Sequence, residues 1–366
     1  MTNQFIIQEY DVEDKGRDLE QKTNLAIVTG KIISFFNGVD WWYNEIVDRE
    51  SGTEEFQFLR KQSIIEIPPK EKDCVSSLLS TGGLNLIDKK VTNHCFLINI
   101  KLEDNIPYYI LSLGYPDMMI KRCLHNLINV RDKYFLAIGG KNDNEWLSSC
   151  EMFNYESKKW EPFPNLNSAR SNFDSILINN NVFVFGGFCS KDVFSENPIE
   201  FFNFNSNDIK NNKWEIVKTT NSFLSLACSR LYKTTENRLI ILGGCDKNST
   251  NKYIYQFDPD NNNISKLGEL NFGRTNFHYL GINDTLYIVG GSFKLEYSGK
   301  NYSIITNFIE KINLNYMNDK KELQEFNCSE QLTILENYGN EIDKQYYDHG
   351  FSLSASLIIK ETTSIN

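Results

Sequence analysis

Short runs along this chain alternate apolar and polar residues, the period of a strand with one buried face, and Asn- and Gly-rich turns separate them. Four of the apolar runs end in a paired glycine: FLAIGG at Gly139–Gly140, VFVFGG at Gly186–Gly187, IILGG at Gly243–Gly244 and LYIVGG at Gly290–Gly291. The second glycines stand 47, 57 and 47 residues apart, and a period near fifty with the same surroundings marks a repeat architecture. SARSNFDSILINNNVFVFGG (168–187) and FGRTNFHYLGINDTLYIVGG (272–291) align without a gap. Each predicts a hairpin: a first strand, a polar turn (Asn179–Asn181; Asn283–Asp284) and a second strand ending at the glycines. Residues 120–140 and 224–244 are the same unit, one residue longer.

A polar loop follows each pair, then a third strand, a turn and often an aromatic. Phe153 stands seven residues before Trp160 and Phe257 seven before Ile264, and another unit reaches Trp214 after a longer turn. The spacing predicts four antiparallel strands per unit. The glycines fall where the second strand bends and a neighbouring backbone comes close. The large aromatics pack between adjacent sheets.

Over residues 120–291 this pattern resembles the kelch repeat: a hydrophobic strand, a diglycine, then a spaced Tyr and Trp. Phe replaces the Tyr at Phe153 and Phe257, and Trp is absent near Ile264. The resemblance implies an all-β fold, a kelch-type β-propeller of six four-stranded antiparallel blades, the alternative being seven with one incomplete. Residues 25–360 are expected to form this single propeller, with 1–24 an N-terminal extension or closing strand and 315–348 an irregular insertion. Two weaker units flank the clear ones. Residues 74–88 align if Gly82–Gly83 is a hairpin turn. Residues 25–38 read as a first-to-second-strand hairpin, or in another register Ala26–Gly30 is a second strand whose partner comes from 348–359, so that the two ends close the ring.

Composition narrows the classes. The chain has 366 residues, 40% hydrophobic, with 25 Phe and 18 Tyr, enough for a large strand-rich core. A net charge of −10 argues against general binding to nucleic acid or anionic membrane. The N-terminus lacks the cationic and apolar pattern of a secretory signal, and no apolar run is long enough for a membrane span. Eight cysteines without a CxxC pair read as reduced thiols in a cytoplasmic protein.

Catalytic signals are sparse. His94, His125, His278 and His349 share no metal-ligand spacing, and no nucleophile elbow, P-loop or dinucleotide fingerprint occurs. No catalytic residue, metal or cofactor is expected. Arg122, Arg170 and Arg274 sit just before the first strand in three units. Such repetition predicts guanidiniums around one mouth of the channel, able to hold acidic groups. The alternative is that they pair with local carboxylates or carbonyls. The second-to-third-strand loops open on the same face and carry Trp146, Phe188, Phe194, Tyr297 and Tyr302, and aromatics with Arg are what interface hot spots use. The partner-binding candidates are therefore Arg122, Arg170, Arg274, Trp146, Phe188, Tyr297 and Tyr302.

The resemblance implies a non-catalytic scaffold or adaptor that binds proteins, in the cytoplasm or within a cytoskeletal or ciliary assembly. Ubiquitin-ligase adaptors of this kind usually carry a BTB or F-box domain, for which residues 1–24 are too few, so that role calls for a separate subunit. A mutarotase-like sugar enzyme using the channel mouth is the reading from another class.

Overall fold

The computed structural model describes residues 3–10, 21–29, 32–36, 41–45, 59, 61–70, 74–85, 88–103, 106–191, 193–195, 198–204, 211–220, 225–247, 249–282, 285–297, 300–305 and 309–314. Every named element is a β-strand, and every pairing is antiparallel. The described residues form two compact units, one of residues 3–171 with 211–213 and one of residues 172–204 and from Trp214 onward.

The first unit holds three four-stranded sheets, each hydrogen-bonded in chain order. Blade one is β1 (Asn3–Tyr10), β2 (Gln21–Thr29), β3 (Ile32–Phe36) and β4 (Trp41–Glu45). β1 pairs with β2 from Asn3↔Val28 to Tyr10↔Gln21. This corrects the first-to-second-strand reading of 25–38: that hairpin joins the second and third strands, and residues 3–10 supply the first. The strand expected at 348–359 and the insertion at 315–348 lie outside the described residues.

Blade two is β5 (Ser63–Ile67), β6 (Cys74–Leu84), β7 (Val91–Glu103) and β8 (Ile106–Tyr115). Gly82–Gly83 is no hairpin turn. β6 runs through it with a bulge between Thr81 and Gly83, paired on one side to β5 and on the other to β7. The turn reading fails because β6 is long, and its glycines are a fifth copy of the diglycine. Blade three is β9 (Asn126–Val130), β10 (Tyr134–Ile138), β11 (Cys150–Asn154) and β12 (Lys159–Phe163). Ile67 and Leu79 of blade two pack with Leu127, Phe135 and Phe153 of blade three in one buried cluster. Phe153 lies directly across the ladder from Trp160, ring centroids 5.1 Å apart. The Trp160 indole N–H donates to Pro116 O at 2.8 Å. The seven-residue spacing thus delivers an aromatic pair to the seam between sheets.

The second unit starts with blade four: β13 (Asp174–Ile178), β14 (Asn181–Phe185), then a two-stranded hairpin of β15 (Phe188–Ser190) and β16 (Val193–Phe194), then β17 (Ile199–Asn203) and β18 (Glu215–Ile216). Asn179 and Asn180 both have positive φ, 48° and 64°, the backbone a two-residue hairpin turn requires. Blade five is β19 (Arg230–Lys233), β20 (Leu239–Leu242), β21 (Tyr253–Asp258) and β22 (Asn263–Glu269). The last sheet has β23 (His278–Ile282) and β24 (Thr285–Val289), a hairpin of β25 (Ser292–Tyr297) and β26 (Lys300–Ile305), and β27 (Ile309–Asn313), which pairs with β24. Ile178, Phe183 and Phe185 of blade four pack with Leu239, Ile241 and Phe257 of blade five. Ile240 and Leu242 on the other face of blade five pack with Leu286, Ile288 and Ile312 of the last sheet. Burying both faces of each strand explains why the second strands read as nearly continuous apolar runs.

Against the expectation of six four-stranded blades, five sheets have four strands among the described residues, and the last has three.

Candidate functional site

The diglycines join one blade to the next. The second glycine N–H donates to the carbonyl of the residue that leads into the following blade: Gly83 to Arg122 O at 2.9 Å, Gly140 to Arg170 O at 2.8 Å, Gly187 to Leu226 O at 2.9 Å and Gly244 to Arg274 O at 2.9 Å. A Cβ on Gly186 would fall 1.9 Å from Leu226 O, and one on Gly82 would fall 2.3 Å from Arg122 O. Glycine is needed there because the neighbouring backbone occupies the space.

The arginines face inward. Arg122, Arg170 and Arg274 are each 0% exposed, which corrects the expected ring of guanidiniums at an open mouth. Arg122 Nη1 donates to Gly139 O at 2.7 Å and Ser149 O at 2.9 Å, and Nη2 to Glu151 Oε1 at 2.6 Å. Glu151 also accepts the Met119 N–H at 2.5 Å and the Ile120 N–H at 3.0 Å. The last sheet repeats the arrangement: Arg274 Nη1 reaches Gly290 O at 3.1 Å, its Nη2 reaches Glu310 Oε2 at 2.9 Å, and the Asn271 N–H reaches Glu310 Oε1 at 2.6 Å. Each pair clamps the segment leading into a blade onto that blade's third strand. Burial pushes the Glu310 carboxyl above its usual range, with Arg274 pulling the other way. Arg170 at the end of the first unit and Glu200 on β17 of the second are each fully buried. A side chain with no exposed surface cannot receive a partner, and local pairing describes Arg122 and Arg274. The signal for their partners was a Glu recurring second in the third strand, CEMF and IEKI.

Of the histidines, His125 and His278 are buried as well, whereas His94 is exposed with its Nδ1 2.9 Å from Asp117 Oδ2 and His349 lies outside the described residues. His125 Nε2 lies 2.8 Å from Thr81 Oγ1 in blade two. Burial holds His125 and His278 well below the usual imidazole range, helped by the positive charges of Arg122 and Arg230 respectively. Among the described residues no group of three or more His, Cys, Asp or Glu is placed to hold a metal ion.

The loops differ from the clamps. In blade four the second-to-third-strand loop folds as β15–β16, with Phe188 and Phe194 rings 4.9 Å apart and Val193 at its tip 46% exposed. In the last sheet the corresponding loop is β25–β26, where Leu295 pairs with Tyr302 and Tyr297 with Lys300. Phe293 on β25 stacks on Phe272, centroids 6.0 Å apart, and Phe272 is 37% exposed. Within the second unit, then, Phe188 and Tyr297 lie on ordered hairpins at the diglycine end of their sheets. In the first unit, Trp146 closes a short loop by bridging Lys141, whose ammonium lies 5.4 Å from the indole centroid. Met119, on the segment leading into blade three, is 58% exposed. The sequence reading missed Met119, Val193 and Phe272, which stand beside the residues it singled out.

Repeated four-stranded sheets, joined through diglycines to the next sheet's leading segment, define the class as a β-propeller of kelch repeats. The chain belongs to the KLHDC2/KLHL20/DRC7 Kelch-repeats domain family, whose model matches residues 74–291, more than half of its length. A search of curated proteins finds no match. Among solved structures, one titled "Structure of YjhT" superposes with a TM-score of 0.57 at 13% identity, covering 84% of this chain and 97% of that one, a likeness of fold.

Proposed function

We propose that this protein is a non-catalytic interaction scaffold or adaptor, engaging a protein partner through the face that bears the second-to-third-strand loops. The observation that carries this reading is the construction of two such loops as hairpins bearing aromatic and apolar side chains: the Phe188–Phe194 pair and exposed Val193 on one, and on the other Phe293, which stacks on the exposed Phe272 of the leading segment. Ordered aromatics on a rigid scaffold lose little entropy on binding, which is why interfaces concentrate energy in them. Membership in a repeat family that generally binds proteins supports the same reading. It works in the cytoplasm, as part of a cytoskeletal or ciliary assembly.

The test is tagged purification of the full chain, identification of the co-purifying protein and measurement of its affinity. Val193→Asp and Phe272→Asp should each weaken that complex at least about tenfold, with stability changed by no more than about 0.5 kcal/mol. Lys133→Asp, at the opposite end of blade three, should leave it intact. A chain that captures nothing yet binds or converts a sugar would replace the scaffold reading with the mutarotase-like one.

A further inference from the structure

Blade five carries a thiol arrangement that the repeat does not require. The residue after the diglycine is Lys141, Phe188, Cys245 or Ser292 in successive units. The residue of left-handed backbone in the segment leading into the first strand is Leu124, Asn172, Cys228 or Asn276, with φ between 53° and 58°. Blade five alone among these has cysteine at both places. Ala227 and Cys245 form an antiparallel bridge, with N–H···O bonds of 3.0 and 2.8 Å in the two directions. A regular strand would turn Cys228 away from the face of its neighbour. The left-handed backbone breaks that alternation and brings the Cys228 thiol into hydrogen bonding with Cys245. The Asn172 Nδ2–H donates to Cys228 Sγ at 3.5 Å, and the Cys228 N–H is held by Asn172 O at 2.8 Å. Both thiols are half-buried rather than sealed in the core.

We infer that Cys228 and Cys245 are an oxidation site: a hydroperoxide oxidises Cys228, and Cys245 resolves the product as an intramolecular disulfide across the blade-five hairpin. The environment suits the first step. Burial alone pushes a thiol up, as it does Cys95. Cys228 is instead held down at about 7 by the hydrogen bond from Cys245, by Asn172 and by the charge of Arg230. A thiolate is the attacking species. Cys228 sulfur bonds the distal peroxide oxygen, the O–O bond breaks, and the departing alkoxide or hydroxide takes a proton to leave as alcohol or water. Cys245 sulfur then attacks the sulfenic sulfur. The S–S bond forms, the S–O bond breaks, and the hydroxyl leaves as water with the Cys245 proton. Two thiols give up two electrons and two protons to one hydroperoxide. A thiol reductant reverses the step, as a reducing compartment would. The bridge would tie the base of the loop after Gly244 to the segment leading into β19.

The full chain is treated with a few equivalents of hydrogen peroxide, unfolded, alkylated and mapped by mass spectrometry. The expected result is a single disulfide joining Cys228 to Cys245, with two of the eight thiols lost. In the untreated native chain at pH 7, iodoacetamide should label Cys228 about tenfold faster than an ordinary cysteine. Cys245→Ser should abolish the disulfide and leave a sulfenic acid at Cys228 that dimedone traps. Cys228→Ser should leave Cys245 reduced. Eight surviving thiols, a disulfide between other cysteines, or equal oxidation of Cys245 in the Cys228→Ser chain would overturn the assignment.

Discussion

Blade three and blade five solve one problem with different side chains. The carbonyl of the first glycine in each pair is turned inward and needs a donor. In blade three, Arg122 supplies it to Gly139 O and is held in turn by Glu151. In blade five the arginine position is Leu226 and the matching third-strand position is Tyr255, two residues before Phe257 as Glu151 is two before Phe153. There Asn251 Nδ2 donates to Gly243 O at 2.9 Å and Ser229 Oγ at 3.3 Å. The carbonyl is served in both blades; the ion pair is one way of serving it. A buried carbonyl left without a donor costs its full desolvation, whereas the net gain from a particular donor is smaller.

Breaking the pair from one side should have the largest effect. Arg122→Leu copies blade five's residue into blade three but leaves Glu151, 1% exposed, without its cation. A loss of about 3–5 kcal/mol is expected, read from urea unfolding. Arg122→Leu with Glu151→Tyr copies both blade-five residues and should regain a large part of that loss. The remainder, about 1–3 kcal/mol, would reflect Gly139 O and the Met119 and Ile120 N–H groups left unserved. A double variant as unstable as the single one would show that the unserved carbonyl and N–H groups carry the loss, not the buried carboxylate left without its cation.

The converse change is made in blade five. Asn251→Ala removes the amide from Gly243 O and also the acceptor of the Tyr253 N–H. About 2 kcal/mol should be lost, with faster hydrogen exchange at β20 and β21 ahead of the other strands of the second unit. Unchanged exchange would mean that Ser229 Oγ alone suffices.

Sequence pattern made the frame legible and the environment of each frame position less so. Alternation and the diglycines located β9, β10, β13, β14, β19, β20, β23 and β24, because the second strand of each hairpin is buried on both faces and carries a nearly uniform apolar run. Gly82–Gly83 was misread because β6 extends beyond the usual strand length and Ile87–Asp88 follows where a diglycine was sought. The arginines were located but turned the wrong way. Repetition shows that a position recurs, and a guanidinium recurs equally well at an open mouth or inside a clamp. The missing datum was the partner, and Glu151 and Glu310 recur in phase with Arg122 and Arg274. The hairpin β15–β16 was not legible, since a loop with Cys189, Ser190 and Lys191 reads as polar punctuation until Phe188 and Phe194 are seen to pair.

The histidines extend the comparison to pH, with a smaller effect for each residue. His125 occupies in blade three the position that Ser229 occupies in blade five, three residues after Arg122 and Leu226. Since Arg122 already serves Gly139 O, His125 is left to bond Thr81 of blade two instead. His278 sits one place further on, where blade five has Arg230. Both imidazoles are buried and held well below 6.5, first by burial and then by a neighbouring arginine. As pH falls through 6.5 the unfolded chain binds protons that the folded chain refuses, so stability falls with pH in this window. Each histidine should cost about 1.4 kcal/mol between pH 7.5 and 5.5, seen as a falling melting temperature. His125→Gln and His278→Gln will each lower the baseline at pH 7.5, so the discriminating quantity is the slope. Each variant should flatten the decline by its own share, and a decline unchanged in both would assign the acid sensitivity to carboxylates instead.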